Sequence, residues 1–284
     1  MNIALIATND EPLSADIIAF VAASEWDAPR FERWQLAASV CCGEQALPQL
    51  EEHWQRTRPE IVIFPAGITG DELATRLAWR TGGVSVCQAQ AWHSATRCVS
   101  KAVYGNALTA RLAVAASPLC LSVARAGSRP SGAAGPQIDG EDAIPVGPLP
   151  EGLQLLSETR REEIQPLSQA RRVVAFGQGG ECLSEDEMKA LAKSLGAEAG
   201  YTRQRVMLGG VDDARMIGVS GQMLAPELCI IAGASGAAAF SAGIAQSQFI
   251  VAINTDADAP LFAQADVGIV DDGLAVLRAL AALS

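Results

Sequence analysis

The fold of this chain is decided by residues Ile217–Asp256, IGVSGQMLAPELCIIAGASGAAAFSAGIAQSQFIVAINTD. Two short apolar runs in it, Leu228–Ala232 and Phe249–Ile253, predict strands buried on both faces, as in a parallel sheet. Between them, Gly233-Ala-Ser-Gly236 leads into a small-residue helix, Ala237–Ile244. Free backbone N–H groups and the helix dipole at such a turn favour an anion, which suggests a cofactor carrying phosphates. For a glycine pair alone, an ordinary strand-to-helix turn is the more frequent explanation.

The composition is that of a globular protein, with 284 residues that fit two domains or one large α/β domain. The net charge of −11 argues against nucleic acid or an anionic membrane surface as a partner. No apolar run approaches the ~20 residues of a membrane span. The amino terminus lacks a basic n-region and predicts a first strand, not a signal peptide. Seven cysteines without a CxxC pair predict reduced thiols and a cytoplasmic location.

Two histidines restrict the chemistry that the chain could perform. His53 falls in a predicted helix, Pro48–Arg56, and His93 in a predicted loop. A zinc site or a Ser-His-Asp triad would have to use one of them, and no supporting motif surrounds either. Solvent exposure or a local hydrogen bond is the expected state of both. We therefore predict no metal site and no catalytic residue.

Residues 1–160 are predicted to form an amino-terminal α/β domain with a structural or partner-docking role. Its predicted strands and helices are Asn2–Ala7, Leu13–Ala23, Ile61–Phe64, Asp71–Thr81, Val84–Cys87, Cys98–Tyr104 and Leu119–Ala124. The segment Arg125–Pro150 holds five prolines and five glycines, which is typical of an extended linker. We place the domain boundary between about Ser157 and Arg171.

Residues 161–284 are predicted to form a second, Rossmann-like α/β domain around a parallel sheet. A predicted strand, Arg172–Phe176, is followed by Gly177-Gln-Gly-Gly180 and by the capping-box sequence Ser184–Glu187. The helix that follows ends at Gly196. This pattern is similar to half of a dinucleotide fold, but it lacks the full glycine fingerprint and the acidic residue after the second strand.

The order of several motifs along the chain is more specific than any single one. Ala225–Leu228, Gly233–Gly243 and Ile250–Asp272 resemble the carboxyl-terminal domain of electron-transfer flavoprotein alpha subunits. Gly70–Ala74 and Tyr104–Leu108 agree with the amino-terminal half of the same family. The resemblance implies a heterodimer with a beta subunit and one FAD, held mainly by the carboxyl-terminal domain. It also implies an electron carrier, not an enzyme, that takes electrons from a flavin dehydrogenase to another acceptor.

The resemblance also implies which positions bind FAD. Carried over by position, these residues are Gln178, Thr202, Arg203, Ile217, Gly218, Val219, Ser220, Ser235, Gly236, Ala237, Ala238, Ala239, Phe240, Asn254, Asp272 and Gly273. Thr202 and Arg203 would lie beside the isoalloxazine, and Ser220 near flavin N5. Ser235–Ala237 would hold the pyrophosphate, and Asn254, Asp272 and Gly273 the adenosine. A guanidinium near the ring stabilises the negative charge of reduced flavin, more strongly in a dry site.

Three positions depart from the family pattern. Gln178 replaces an arginine, Val219 replaces a glutamine, and Phe240 replaces a histidine. The expected consequence is that FAD still binds, while the reduced flavin is less stabilised and its potential is lower than usual for the family. The same departures leave open that FAD binds weakly or not at all.

Two other functions remain open from the sequence. One is an FAD- or NAD-dependent oxidoreductase subunit, which would need a proton donor near the ring; Tyr201 is the candidate, although packing explains it better. The other is a non-catalytic nucleotide-binding scaffold. The sequence identifies neither the electron donor nor the acceptor, and it does not say whether a beta subunit would hold AMP or a second, bifurcating FAD.

Overall fold

The computed structural model describes residues 1–8, 13–104, 108–125, 135–157, 166–180 and 183–283. The chain divides into two compact units, one holding the described residues up to 157 and the other those from 166 onward. Most of the predicted boundary region, residues 158–165, lies outside the described residues. No helix among the described residues is both long enough and apolar enough to cross a membrane.

The first unit is built on one mixed sheet flanked by helices. Its strands are β1 Asn2–Thr8, β2 Arg30–Leu36, β3 Ile61–Phe64, β4 Val84–His93, β5 Cys98–Val103, β6 Leu108–Ala113, β7 Leu119–Val123 and β8 Gly140–Ile144. The helices are α1 Ala15–Ala23, α2 Leu47–Thr57 and α3 Ile68–Thr81. The strand order is β6-β5-β4-β7-β3-β1-β2-β8, with β5 antiparallel to both of its neighbours and the other pairs parallel. The apolar runs of β1, β3 and β7 are buried at its centre, as runs of that kind predict.

The predictions for this unit need three corrections. Strand β4 continues to His93, so His93 lies in a strand and not in a loop. Strands β2 and β6 were missed because neither shows a simple apolar run. Strand β8 lies inside the predicted linker 125–150: it is an edge strand, parallel to β2, with Ile144 as its buried residue. Polar edge strands give no periodic signal, so composition alone misassigned this one.

Both histidines have local partners, as expected. His53 is buried in α2, where its Nδ1 lies 3.0 Å from Arg56 Nη2; its Nε2 lies 3.3 Å from Asp142 Oδ2 without forming a hydrogen bond. His93 Nε2 lies 2.9 Å from Ser100 Oγ, and its Nδ1 lies 3.3 Å from Glu25 Oε2. This serine–histidine–glutamate chain has the order of a hydrolytic triad. Ser100, however, is 8% exposed within the sheet, so a substrate carbonyl could not approach it.

The second unit confirms the predicted parallel sheet. Its strands are β9 Arg172–Phe176, β10 Glu198–Tyr201, β11 Leu228–Ala232, β12 Ile250–Asn254 and β13 Val267–Val270. Its helices are α4 Glu185–Ser194, α5 Arg203–Met207, α6 Ala238–Ile244 and α7 Gly273–Leu283. The strand order is β10-β9-β11-β12-β13, with every pair parallel. The two faces of the sheet carry separate apolar cores, which explains why β9 and β11 have no polar face.

The chain order of these strands sets the position of a ligand crevice. From β9 the chain moves to β10 on one side, and it later returns to β11 on the other side of β9. The loops that follow β9 and β11 therefore diverge at a topological switch point, where open parallel sheets bind their ligands. The predicted capping box of α4 is present, since Ser184 Oγ accepts from the Glu187 N–H and Glu187 Oε2 accepts from the Ser184 N–H.

Candidate cofactor-binding site

Two glycine loops meet backbone to backbone at the switch point. The Gly177 N–H donates to the Ala232 carbonyl over 2.9 Å. A Cβ atom on Gly177 would lie 2.1 Å from the Gly233 carbonyl oxygen, and one on Gly233 would lie 2.8 Å from the Gly179 Cα. Real Cβ atoms do not approach other atoms this closely, so side chains at these positions would separate the loops. The glycines after β9 and β11 thus allow the contact between the loops.

The second loop, which we call the glycine turn (Gly233–Ala237), is held by bonds to its carbonyl groups. Asn254 Nδ2 donates to the Ala234 carbonyl over 2.9 Å, and the Leu261 N–H donates to the Ser235 carbonyl over 3.1 Å. Gly236 has φ +87°, and a Cβ atom there would lie 2.5 Å from the Leu261 nitrogen. Any other residue at position 236 would be strained and would also clash with the chain.

The N–H groups of the glycine turn are left without partners. Within the described part of the chain, the N–H groups of Ser235, Gly236 and Ala237 donate no hydrogen bond. All three residues line a cleft, so the unsatisfied donors border space that a ligand can enter. Successive free backbone N–H groups form a natural site for an anion such as a phosphate.

This first cleft collects most of the predicted site. It holds about 700 Å³ of empty space, which includes the open solvent at its mouth. The predicted residues that line it are Thr202, Arg203, Ile217, Gly218, Val219, Ser220, Ser235, Gly236, Ala237, Ala239 and Phe240. It is also lined by Gln204, Met216 and Ala234, which we did not predict; each adjoins a predicted residue along the chain.

The cleft is also bounded by what we call the side wall, Thr202–Gln204 and Met216–Ser220. Thr202 is the N-cap of α5, where its Oγ1 accepts from the Arg205 N–H over 3.3 Å. Arg203 is exposed, and no described residue forms a hydrogen bond or an ion pair with its guanidinium. The cleft therefore offers one unpaired cation beside a mostly apolar surface.

Val219 and Phe240, two of the three positions where we expect a departure from the family, differ in how their side chains are held. Val219 is 53% exposed, and its N–H donates to the Ala239 carbonyl over 2.9 Å, so the backbone is fixed while the side chain is free. Phe240 is 6% exposed and packs in the core with Ile217 and Leu224. Phe240 therefore has a structural role in addition to facing the cleft.

A second cleft, with about 570 Å³ of empty space including open solvent, is lined in part by Gly233 of the glycine turn. It contains the predicted residues Asn254, Asp272 and Gly273, together with Gly179, Ala232, Gly233, Thr255 and Leu274, which we did not predict. Asp272 Oδ1 accepts from the Ala275 N–H over 2.7 Å at the start of α7. Gln178 and Ala238 are exposed and do not line either cleft, although each is next to a lining residue.

Tyr201 does not face the cleft as a proton donor would. Its side chain is fully buried, and its hydroxyl donates to Glu185 Oε1 over 3.3 Å. Burial raises the pKa of Tyr201, and the nearby Glu185 raises it further. The described residues also contain no group of three or more histidines, cysteines, aspartates or glutamates that could hold a metal ion.

The parallel sheet, the switch-point clefts and the free N–H groups define a nucleotide-binding α/β domain. Comparison with known proteins narrows this class. Residues 166–245 match the family model of the electron transfer flavoprotein FAD-binding domain. The chain is 47% identical over 280 residues, 99% of its length, to YgcQ of Escherichia coli, a provisionally named electron transfer flavoprotein subunit of which the match covers 97%. The chain therefore belongs to the electron transfer flavoprotein alpha-subunit family, a family of electron carriers, and FAD is the cofactor of the matched domain.

Other relatives share only part of their length with this chain. A subunit of the Acetobacterium woodii lactate dehydrogenase (NAD(+),ferredoxin), LctC, is 29% identical over 81% of this chain and 57% of LctC. A probable mitochondrial alpha subunit of Schizosaccharomyces pombe is 43% identical over 45% of this chain and 38% of that protein. The chain thus spans about half, or less, of the length of these two relatives.

Proposed function

We propose that this chain is the alpha subunit of an electron transfer flavoprotein that binds FAD across the two clefts of its second unit. The observation that carries the proposal is the set of free N–H groups at Ser235–Ala237, which face the same cleft as the unpaired Arg203 guanidinium. The N–H groups would hold the pyrophosphate, and Asn254, Asp272 and Gly273 would line the adenosine end. Bound FAD would supply the redox chemistry, because its ring accepts and releases electrons.

The side wall would hold the isoalloxazine ring. Arg203 would place a positive charge near the ring atoms that become negative on reduction, and Ser220 would offer a hydroxyl near flavin N5. At Val219 in the side wall and at Phe240 in α6, the cleft is lined by carbon side chains, which cannot donate a hydrogen bond to the ring. We therefore expect bound FAD to have a lower reduction potential than is usual for the family.

The first unit would dock the beta subunit of a heterodimer. Large apolar side chains are exposed on it, including Ile68 at 88% and Trp79 at 87% in α3. Exposed aromatic side chains of this kind are common at protein interfaces.

A flavin dehydrogenase would then deliver electrons to the assembled pair. The name of LctC, which places a related chain in a lactate dehydrogenase, supports a redox partner of this class. The six free thiols among the described cysteines support a cytoplasmic location.

Flavin counting on the purified complex tests the proposal. The chain would be co-expressed with the product of the neighbouring gene, and the complex would be analysed by its absorbance spectrum and by FAD release. A carrier predicts one FAD per alpha chain and no oxidation of NAD(P)H without a partner dehydrogenase. Oxidation of NAD(P)H by the complex alone would favour the oxidoreductase, and a complex without any flavin band would favour the scaffold.

A further inference from the structure

Arg205 is a buried cation next to the candidate site, and the proposed function gives it no role. The residue is 5% exposed. Its Nη1 donates to the Gly209 carbonyl over 2.9 Å, and its Nη2 donates to the Leu183 carbonyl over 3.3 Å. Its Nε is buried without a hydrogen-bond partner, and no carboxylate of the described residues forms an ion pair with it. Removing an unpaired guanidinium from water costs free energy of folding, so the buried position of Arg205 needs an explanation.

The reason lies in how the side wall is connected. Its two parts, Thr202–Gln204 and Met216–Ser220, are joined by residues 205–215. This connection contains the end of α5, the pair Gly209-Gly210 with φ +81° and +74°, and a short 3-10 turn at Asp213–Arg215. A helix as short as α5 is not stable by itself, because its few hydrogen bonds do not offset the cost of nucleation. The position of α5, which carries the Thr202–Gln204 part of the wall, therefore depends on side chains that anchor the connection.

Arg205 is the anchor that holds α5 itself. One end of its guanidinium binds the glycine pair that follows the helix, and the other binds Leu183 in the loop between β9 and α4. The same helix begins at the cleft, where Thr202 caps it and Arg203 is its first residue. The planar guanidinium holds its two Nη groups at a fixed separation, so that each can donate to a carbonyl on a different segment. A lysine would keep the charge but could not bridge both segments equally well.

We propose that Arg205 is a positioning residue for the cofactor cleft, acting through Arg203. By bridging Gly209 and Leu183 it fixes α5, and α5 fixes the direction in which the Arg203 guanidinium enters the cleft. The proposal rests on the proposed function, because the effect of the positioning is on bound FAD. Arg205 itself lines neither cleft.

The test uses the alpha–beta complex with the variants Arg205→Met and Arg205→Lys. Arg205→Met is expected to weaken FAD binding about tenfold and to lower the flavin potential, because Arg203 loses its fixed direction. Arg205→Lys is expected to resemble Arg205→Met, since it keeps the charge but loses the bridge. Arg171→Met is the matched control: Arg171 is exposed and ion-paired with Glu227, and its loss should change FAD affinity less than about twofold. A lysine variant with wild-type affinity and potential would overturn the proposal.

A double-mutant cycle with Arg203→Ala separates positioning from general destabilisation. If Arg205 acts through Arg203, then Arg205→Met should have little further effect on affinity and potential once Arg203 is alanine. Fully additive effects would overturn the proposal even if the complex binds FAD normally.

Hydrogen exchange on the FAD-free complex tests the anchor without the cofactor. Amide exchange over residues 203–210 should rise about tenfold in Arg205→Met and stay unchanged in Arg171→Met. Unchanged exchange in Arg205→Met would refute the anchor. A wild-type complex that binds no FAD would refute the proposed function and, with it, the cofactor part of this inference.

Discussion

The two ends of the first cleft are built in different ways. At the glycine turn, the contacts offered to a ligand are backbone N–H groups, and the carbonyls behind them are bonded to Asn254 and Leu261. At the side wall, the contacts are side chains, and the wall is carried by a five-residue helix and loops. A backbone site tolerates changes in side chains as long as its glycines remain. A side-chain site can change its chemistry with single substitutions.

This difference bears on where the resemblance leads us to expect departures from the family. Val219, where a glutamine was expected, belongs to the side wall, whereas Ser235–Ala237 form the glycine turn and match the expected motif. We therefore expect substitutions at the turn to change whether FAD binds, and substitutions at the side wall to change mainly its potential. The predictions below test this division.

The largest effect is expected for Gly236→Asp. Its Cβ would clash with Leu261, and its carboxylate would face the phosphates at the free N–H groups. FAD binding to the complex, measured by fluorescence titration, should weaken by at least about 100-fold.

Gly152→Asp is the matched control for this variant, since Gly152 also has φ +87° but no atom lies within 4 Å of the Cβ position. Thermal unfolding of both FAD-free variants would show whether Gly236→Asp still folds. Gly236→Ala, which has the same Cβ without the carboxylate, separates the clash with Leu261 from the added charge. A folded Gly236→Asp complex that keeps its yellow colour would remove the glycine turn from the phosphate site.

Asn254→Leu should have the next largest effect. Leucine has no amide to donate to the Ala234 carbonyl and no Oδ1 to accept from the Asp256 N–H. The glycine turn therefore loses the hydrogen bond that holds its Ala234 carbonyl, while its own free N–H groups remain. Leaving the Ala234 carbonyl without its hydrogen bond costs about 1–3 kcal/mol. This cost predicts that FAD binds about tenfold more weakly in the same titration. Asn2→Leu, at an exposed position in β1, should leave affinity unchanged. Equal affinities for the two variants would show that the turn does not need Asn254.

Arg203→Ala should separate the two ends most clearly. Because Arg203 has no hydrogen bond or ion pair among the described residues, its removal breaks no such interaction in that part of the chain. The attraction between the partly screened guanidinium and the reduced ring is about 1 kcal/mol. Its loss predicts a flavin potential lower by roughly 40 mV per electron, with FAD affinity reduced only a few-fold. Potentials would be measured by dye-equilibrated titration, and Arg203→Lys should restore most of the difference. A potential that does not move in Arg203→Ala would exclude Arg203 from the ring.

The sequence predicts the parts of this molecule that rest on apolar runs and glycines. Strands β3, β9 and β11 were predicted with their observed bounds, because each is short, apolar and buried on both faces. The linker prediction was wrong over β8, whose polar residues pair at a sheet edge through backbone bonds that leave no pattern. The hydrogen bond from Arg205 to the Leu183 carbonyl was not predictable either, because residue type alone does not reveal a contact between segments 22 residues apart.

The smallest effect is expected for Val219→Gln, and it tests whether the side wall alone accounts for a lower potential. Val219 is 53% exposed and held by its own backbone, so glutamine should change the free energy of unfolding by less than about 0.5 kcal/mol. A new hydrogen bond to the ring, worth about 0.5 kcal/mol, should raise the potential by roughly 20 mV. Phe240→His is the contrasting variant: Phe240 is buried in the core, and we expect it to lose about 2–4 kcal/mol of stability. Calorimetry and redox titration of both variants would decide the point. A stable Val219→Gln complex that binds FAD with an unchanged potential would mean that position 219 does not contact the ring, and that the potential is set elsewhere along the wall.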